Sequence, residues 1–330
     1  MKVTVILCTY NGDQNVPTAL NSLAAQVLPD SVEWDVIVVD NNSKDRTRDV
    51  VEEFCQRHPG RFHYLFEPQQ GKSYALNRGV REAQGDVVAF TDDDVTMEPT
   101  WLHNLTANLH NGEWAGAGGR TLAEGGFVPP KWLAVESQHA LAPLAVFDRG
   151  LEAKESKEAP YANNMAFRKE LFEKHGGFDA RLGPCAGSSR PQKNEDSEFG
   201  MRLLASGERL RYEPSAVVYH HVPPNRMQKK YFLEWWFDKA RADVRAFGIT
   251  NPKWCVAGVP ARLLRRLAAW TLRWMVAVKA TRRFECKQTV WVLLGQIREC
   301  YSLHRGEKTS NQPRLQENSL RNVSERSQGV

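Results

Sequence analysis

The sequence predicts an α/β fold: a mostly parallel sheet flanked by helices, followed by a C-terminal helical extension. Three observations point there. Strand-forming runs alternate with helix-length segments through residues 1–95, the mark of βαβ units. Three of those runs end in polar residues, "TYNG", "DNNSKD" and "DDD". Lys and Arg then accumulate after residue 225 in segments patterned as helices.

The elements follow in order. "VTVILC" reads as a buried strand, and "NVPTALNSLAAQ" as a helix whose Pro17 suits its early turn. "WDVIVVD" and "DRTRDVVEEFCQRH" form the next strand and helix, with Ser43 or Asp45 as the helix cap. "RFHYLFE", "SYALNRGVREAQ" and "DVVAFT" supply a third strand, a third helix and a fourth strand. Residues 96–224 are less regular and richer in Gly and Pro. They include the loop-like "GAGGRTL", the helix "RKELFEKH" closed by Gly176 and Gly177, and a late strand, "AVVYHHV". From Tyr231 to about Leu303 the chain reads as helices. The domain expectation is a body over 1–224, divided into 1–95 and 96–224, a basic helical extension over 225–303 and a polar, disordered tail over 304–330.

A chain of 330 residues, 42% hydrophobic and 25% charged, suits a soluble globular protein. Its six cysteines include no Cys-x-x-Cys pair, which argues against a zinc site or a disulfide framework and for a reducing compartment. The apolar run Val3–Cys8 is too short for a secretory signal, and no uncharged stretch approaches the ~20 residues that span a bilayer. Charge is unevenly spread. Residues 1–224 carry 23 Lys and Arg against 31 Asp and Glu, a net of −8; residues 225–305 carry 17 against 5, a net of +12. An acidic body with a basic extension implies two tasks.

Three adjacent carboxylates after a buried strand repel one another unless solvated or neutralised. Asp92, Asp93 and Asp94 therefore form either an acidic turn or a site for Mg²⁺ or Mn²⁺ bridging a diphosphate. Asp40 ends the second strand and either accepts hydrogen bonds from a ligand or caps the next helix. "GKS" at 71–73 is no Walker motif, because position 66 is Phe where that pattern needs Gly. Lys72 and Arg78 are instead placed to reach phosphate from the following helix. In "NEDSEF", Glu195 or Asp196 serves as a general base or as a helix cap. His220, at the late strand's end, either completes a metal shell or is structural.

Taken together, "TYNG", "VVDNNSKD", "GKSYALNRGV", "GDVVAFTDDDV", "NNMAFRKELFEKHGGFD", "NEDSEFGMRL" and "VVYHHV" resemble the family 2 glycosyltransferases in order and spacing, over roughly residues 1–225. The resemblance implies a GT-A type, Rossmann-like sheet and an inverting, nucleotide-sugar-dependent enzyme. By that similarity Thr9, Tyr10 and Asp40 hold the nucleoside, with Asn11 and Asn42 beside them and Lys72 and Arg78 near the diphosphate. Asp94 is the direct metal ligand, and Asp92 or Asp93 touches the ribose or shares the ion. Asp196 deprotonates the acceptor hydroxyl, while Asn164 and the loop around Gly177 shape the acceptor side. The chain lacks the Gln-x-x-Arg-Trp signature and membrane helices of processive members, which implies single addition.

The expected partners are a nucleotide-sugar donor and a glycan or lipid-linked acceptor for cell-surface synthesis. The oligomeric state is left open. On a helical wheel, Leu263, Leu267, Trp270, Trp274 and Val278 share one face and Arg262, Arg265, Arg266 and Arg273 the other. Such a segment (259–283) either lies on an anionic membrane or packs on protein. The expected location is cytoplasmic, or peripheral on the cytoplasmic face of a membrane. Nucleic acid is excluded as a partner, since no binding motif accompanies the charge. Two alternatives remain. A sugar nucleotidyltransferase would need a Gly-rich N-terminal loop that "CTYNGDQNV" lacks, and a non-catalytic nucleotide-sugar-binding protein would have no use for intact Asp94 and Asp196. A dehydrogenase is disfavoured because no Gly-x-Gly-x-x-Gly follows the first strand.

Overall fold

The computed structural model describes residues 1–125, 128–135, 140–187, 193–249 and 254–307. They divide into two units. The first, 1–125, 144–187 and 195–222, is the α/β body.

Its elements begin as β1 (Lys2–Thr9), α1 (Val16–Ala24), β2 (Glu33–Asp40), α2 (Thr47–Arg57), β3 (Phe62–Phe66), α3 (Lys72–Glu82) and β4 (Val87–Asp92). They continue as β5 (Val95–Met97), α4 (Trp101–Thr106), β6 (Gly116–Ala123), β7 (Lys154–Ser156), β8 (Met165–Arg168), α5 (Glu170–His175), α6 (Glu195–Ala205) and β9 (Leu210–His220). One sheet runs β3-β2-β1-β4-β8-β6-β9-β5, with β7 also on β9. It is parallel across β3-β2-β1-β4 and between β6 and β9; β8, β5 and β7 run antiparallel. Side chains alternate between two buried clusters on the sheet's two faces: Val3, Val5 and Leu7 in one, Ile6 and Cys8 in the other. Burial on both faces explains why the central strands read as continuous apolar runs.

The strands and helices expected over 1–95 are all present. The region expected to be irregular is more ordered than its composition suggests. "GAGGRTLA" is strand β6, although Gly disfavours strands, because neighbours leave no room for a side chain. A Cβ at Gly119 would lie 2.0 Å from the Ala216 carbonyl oxygen, and one at Gly116 would lie 2.3 Å from the Phe167 ring. Arg168 closes β8 and does not open a helix; α5 starts at Glu170. The late strand begins at Leu210, crossing Pro214 where its register against β6 shifts between Gly119 and Arg120.

The second unit comprises 128–135, 140–143, 193–194 and 223–307 of the described residues. It holds α7 (Lys229–Phe247), a hairpin of β10 (Cys255–Val256) and β11 (Val259–Pro260), α8 (Ala261–Val276) and α9 (Ala280–Glu307). Among the described residues, the extension is therefore helical apart from this hairpin and short connections. Residues 304–307 continue α9, and 308–330 lie outside the described residues. Glu299 is fully buried on α9, accepting from Arg241 Nε at 2.9 Å and paired with Arg245, which neutralises it. Trp132 packs edge-on against Phe232 and Phe284.

The tryptophan-bearing face of α8 is not free. Leu263 is buried with Val244, Val259 and Leu293, while Leu267 and Trp270 pack on that cluster, and Trp274 meets Trp291 of α9 at right angles. Of the two roles open to this stripe, packing on protein is the one the structure has. Val278 is not part of it: α8 ends at Val276, and Val278 is 94% exposed. Among the described residues, no helix is long and apolar enough to cross a membrane.

Candidate active site

Parallel register brings the polar strand ends together. Thr9 pairs with Asp40 and Cys8 with Asp92, so the ends of β1, β2 and β4 lie side by side. The antiparallel pairing of Val95 with His220 brings the end of β9 to the same edge, and Asp94 Oδ2 meets His220 Nε2 at 3.1 Å. Helix α6 presents Glu195 and Asp196 in its first turn.

Asp40 is buried and accepts the Ser43 N–H and the Tyr64 hydroxyl, each at 2.9 Å. Asp45 accepts the Thr47 N–H at 3.0 Å, so the two aspartates divide the bonding of this turn. Asn11 and Asn42 adopt left-handed backbone, φ 50° and 65°. Asn11 accepts the Lys44 N–H, and Asn42 donates to the Pro68 carbonyl. Both side chains thus tie neighbouring loops together, and Tyr10, next to Asn11 in the chain, is exposed. Gly12 is there for space, since a Cβ would sit 2.2 Å from Thr9 Oγ1 and 2.5 Å from Asp93 Oδ2. That oxygen accepts a 2.5 Å hydrogen bond from the Thr9 hydroxyl.

Lys72 is placed by Asn41, a residue to which the sequence motifs assign no role. Asn41 accepts the Gly71 N–H at 2.7 Å and donates to the Gln69 carbonyl, holding Gly71 at φ 135° just before α3. The Lys72 ammonium then lies 2.5 Å from Asp92 Oδ1 and 3.9 Å from Glu195 Oε1. It is thus an internal counter-ion to two carboxylates of separate elements. Arg78 lies further along α3 and pairs with Glu82 at 3.1 Å; the structure does not bring it to the acidic cluster.

Asp196 Oδ2 accepts the Ala162 N–H at 3.0 Å, and its Oδ1 accepts the Ser197 N–H at 2.6 Å. Asn164 does not face an open site. It is buried, accepts from the Trp101 indole at 2.8 Å and donates to the Arg120 and Ala216 carbonyls, because it must tie β8 to β6 and β9. Gly177 lies in a loop clamped by Asn77 and by Arg202, which donates to its carbonyl at 2.8 Å. Tyr161, beside Asp196, belongs to none of the sequence motifs. Burial raises its phenol, and the Asp196 charge adds to that. Only the aromatic-polar string "PYANN" before β8 hinted at it.

The electrostatics are those of an under-neutralised acidic pocket. Burial pushes Asp93 up to about 7, with Asp94 and Asp92 adding to it against the Thr9 hydrogen bond. Asp92 is raised by burial, Asp94 and Asp196 against the pull of Lys72. Glu195 is pushed up to about 7 by burial and by Asp196. Burial disfavours the Lys72 charge, yet Asp92 and Glu195 outweigh it and hold the ammonium above its usual range. Among the described residues, no three His, Cys, Asp or Glu side chains are gathered as a ready metal shell.

These shifts carry a testable pH dependence. Glu195 moves from an ordinary 4.5 to about 7, so the folded state binds the extra proton between those values. Its contribution is present below pH 4.5 and lost as pH rises through 7. Glu195→Gln is expected to flatten the Tm–pH curve in that window in chelator-treated protein. An unchanged slope would place the titration elsewhere.

The model of the family described as "Glycosyl transferase family 2" matches residues 4–176. Among curated proteins, the chain is similar to the glucosyl-dolichyl phosphate glucuronosyltransferase of Haloferax volcanii, 31% identical over 67% of this chain and 70% of that one. It is also similar to the succinoglycan biosynthesis protein ExoM of Rhizobium meliloti, 28% identical over 68% and 69%. Among solved structures, a mannosyltransferase from Pyrobaculum calidifontis, in complex with GDP-Man and Mn²⁺, superposes with a TM-score of 0.56. It is 20% identical and aligns over 94% of this chain and 76% of its own.

Proposed function

Because the chain belongs to glycosyl transferase family 2, we propose that it moves one sugar, with inversion, from a nucleotide-diphosphate sugar to a hydroxyl of a lipid-linked or glycan acceptor, with Asp196 as the base. The observation that carries this is the acidic cluster of Asp92, Asp93, Asp94, Glu195 and Asp196, in which, among the described residues, the Lys72 ammonium meets Asp92 and Glu195. Such an excess of half-buried acidic groups suits a pocket completed by a dication and its diphosphate.

The residues fit Mg²⁺ or Mn²⁺. Asp94 and His220 already meet, Asp92 lies close by, and the diphosphate oxygens would fill the remaining positions. When bound, the ion offsets the charge that grows on the leaving diphosphate. The nucleoside is assigned to Thr9, Tyr10 and Asp40, rimmed by Asn11 and Asn42. Asp196, fixed by two backbone N–H groups, takes the acceptor proton as the acceptor oxygen attacks the anomeric carbon. The carbon–phosphate-oxygen bond breaks on the opposite side, the bonding pair leaves with the diphosphate, and the configuration inverts. Arg78 and Asn164 are given no part in these steps, since both are engaged elsewhere. The glucosyl-dolichyl phosphate in the name of the Haloferax relative supports an acceptor held in a membrane, and with it a peripheral position for this enzyme.

A thermal-shift screen of nucleotide sugars with Mn²⁺, followed by product analysis, tests the proposal. One donor class is expected to raise Tm only with the metal and to release a nucleoside diphosphate on turnover. Release of pyrophosphate would instead identify a nucleotidyltransferase. Binding without turnover under any acceptor mixture, or no binding at all, would sink the transferase mechanism.

A further inference from the structure

Helix α8 has two apolar faces, and among the described residues only one is covered. Leu263, Leu267, Trp270 and Trp274 are spent on the interior of their unit. Leu264, Leu272, Met275 and Val276 recur at helical spacing on another side and are 40%, 60%, 63% and 66% exposed. Val278 at 94%, and Trp254 at 81% in the segment leading into the hairpin, extend the exposed apolar set on either side of the helix. Residues 254–284 contain seven Lys and Arg and no Asp or Glu. Arg265, Arg266 and Arg273 are exposed on the same helix, and Lys279 follows it. Arg273 also lies over the Trp270 ring, 4.7 Å from its centroid, its charge held beside the helix.

We propose that this second face of α8 docks on an anionic phospholipid surface. Exposed Leu, Met and Val cost free energy in water, and sinking them to the headgroup–acyl boundary removes that cost. The arginines meanwhile stay at the level of the lipid phosphates. Charge complementarity selects the occupant. An acid-free stretch with seven cations repels a second copy of itself and favours a negative bilayer. The inference deepens the peripheral position suggested above, but it stands on this surface and not on the sugar chemistry.

Flotation of the full chain with phosphatidylcholine vesicles, with and without phosphatidylglycerol, tests it. The protein is expected to float only with the anionic vesicles and to be released as salt rises. Leu272→Glu with Met275→Glu is expected to abolish flotation while leaving Tm unchanged, because neither side chain is buried. Arg265→Gln with Arg266→Gln is expected to weaken it by roughly tenfold or more. Equal binding to neutral vesicles, no binding to either kind, or full binding by the Leu272→Glu/Met275→Glu variant would overturn the proposal. So would dimerisation in solution that this pair abolishes, since it would assign the face to a second copy. No sugar transfer is read in these arms, so their failure leaves the transferase mechanism untouched, and the reverse holds too.

Discussion

Asp196→Asn is expected to lower the turnover number for sugar transfer roughly 10²–10⁴-fold while donor affinity stays near that of the parent enzyme. The substitution keeps the shape of the side chain and removes its basicity. It also sets an amide NH₂ where one of two backbone N–H groups now donates, from Ala162 or from Ser197. That mismatch costs about 1–3 kcal/mol of stability, so Tm must be measured alongside the rate. Glu195→Gln is the control. Glu195 is only 5% exposed and lies 3.9 Å from Lys72, which leaves it poorly placed to touch an acceptor. Its replacement is expected to change turnover far less. Near-normal transfer by Asp196→Asn, or an equal loss in Glu195→Gln, would remove Asp196 from its role as base.

The βαβ half was legible because its cues are local. Val3–Cys8, Val36–Val39 and Val87–Phe90 are strands buried on both faces, and each ends abruptly in Thr, Asp or Asp. The acidic half of the site was legible for the same reason, since three adjacent aspartates need no tertiary information to be noticed. What stayed hidden depends on contacts distant in sequence. The glycines of β6 look like a loop until Phe167 and Ala216 are seen against them. Asn164 resembles a ligand residue until Trp101, 63 positions away, occupies its carbonyl oxygen. The wheel of α8 grouped Leu263, Leu267, Trp270 and Trp274 as the structure does and wrongly added Val278, but it could not show that α9 covers that stripe while Leu264, Leu272 and Met275 stay exposed. Periodicity reports that a face is apolar; only packing tells what lies against it.

Lys72→Met carries the largest expected effect on stability. Methionine keeps most of the apolar stem and deletes the ammonium that lies between Asp92 and Glu195. Two carboxylates then lie near Asp93 and Asp94 with no paired cation among the described residues. Breaking a pair at this depth, with side chains 18% and 24% exposed for Lys72 and Asp92, is expected to cost about 3 kcal/mol at pH 8. For a chain of 330 residues that is a fall of roughly 4 °C in Tm. The loss has a definite pH sign. Asp92 and Glu195 both take up protons more readily than ordinary carboxyls, so acidification neutralises what Lys72 no longer balances, and the deficit shrinks toward pH 5. Adding Glu195→Gln to Lys72→Met should restore part of the Tm at pH 8 for the same reason, and Mn²⁺ with a nucleoside diphosphate should restore more of it. A lysine that served only to grip phosphate would behave in the opposite way: its removal would leave the ligand-free Tm intact at every pH and weaken donor binding alone. Equal Tm values for parent and variant at pH 8 would therefore return Lys72 to the diphosphate and strip the acidic pocket of its internal counter-ion.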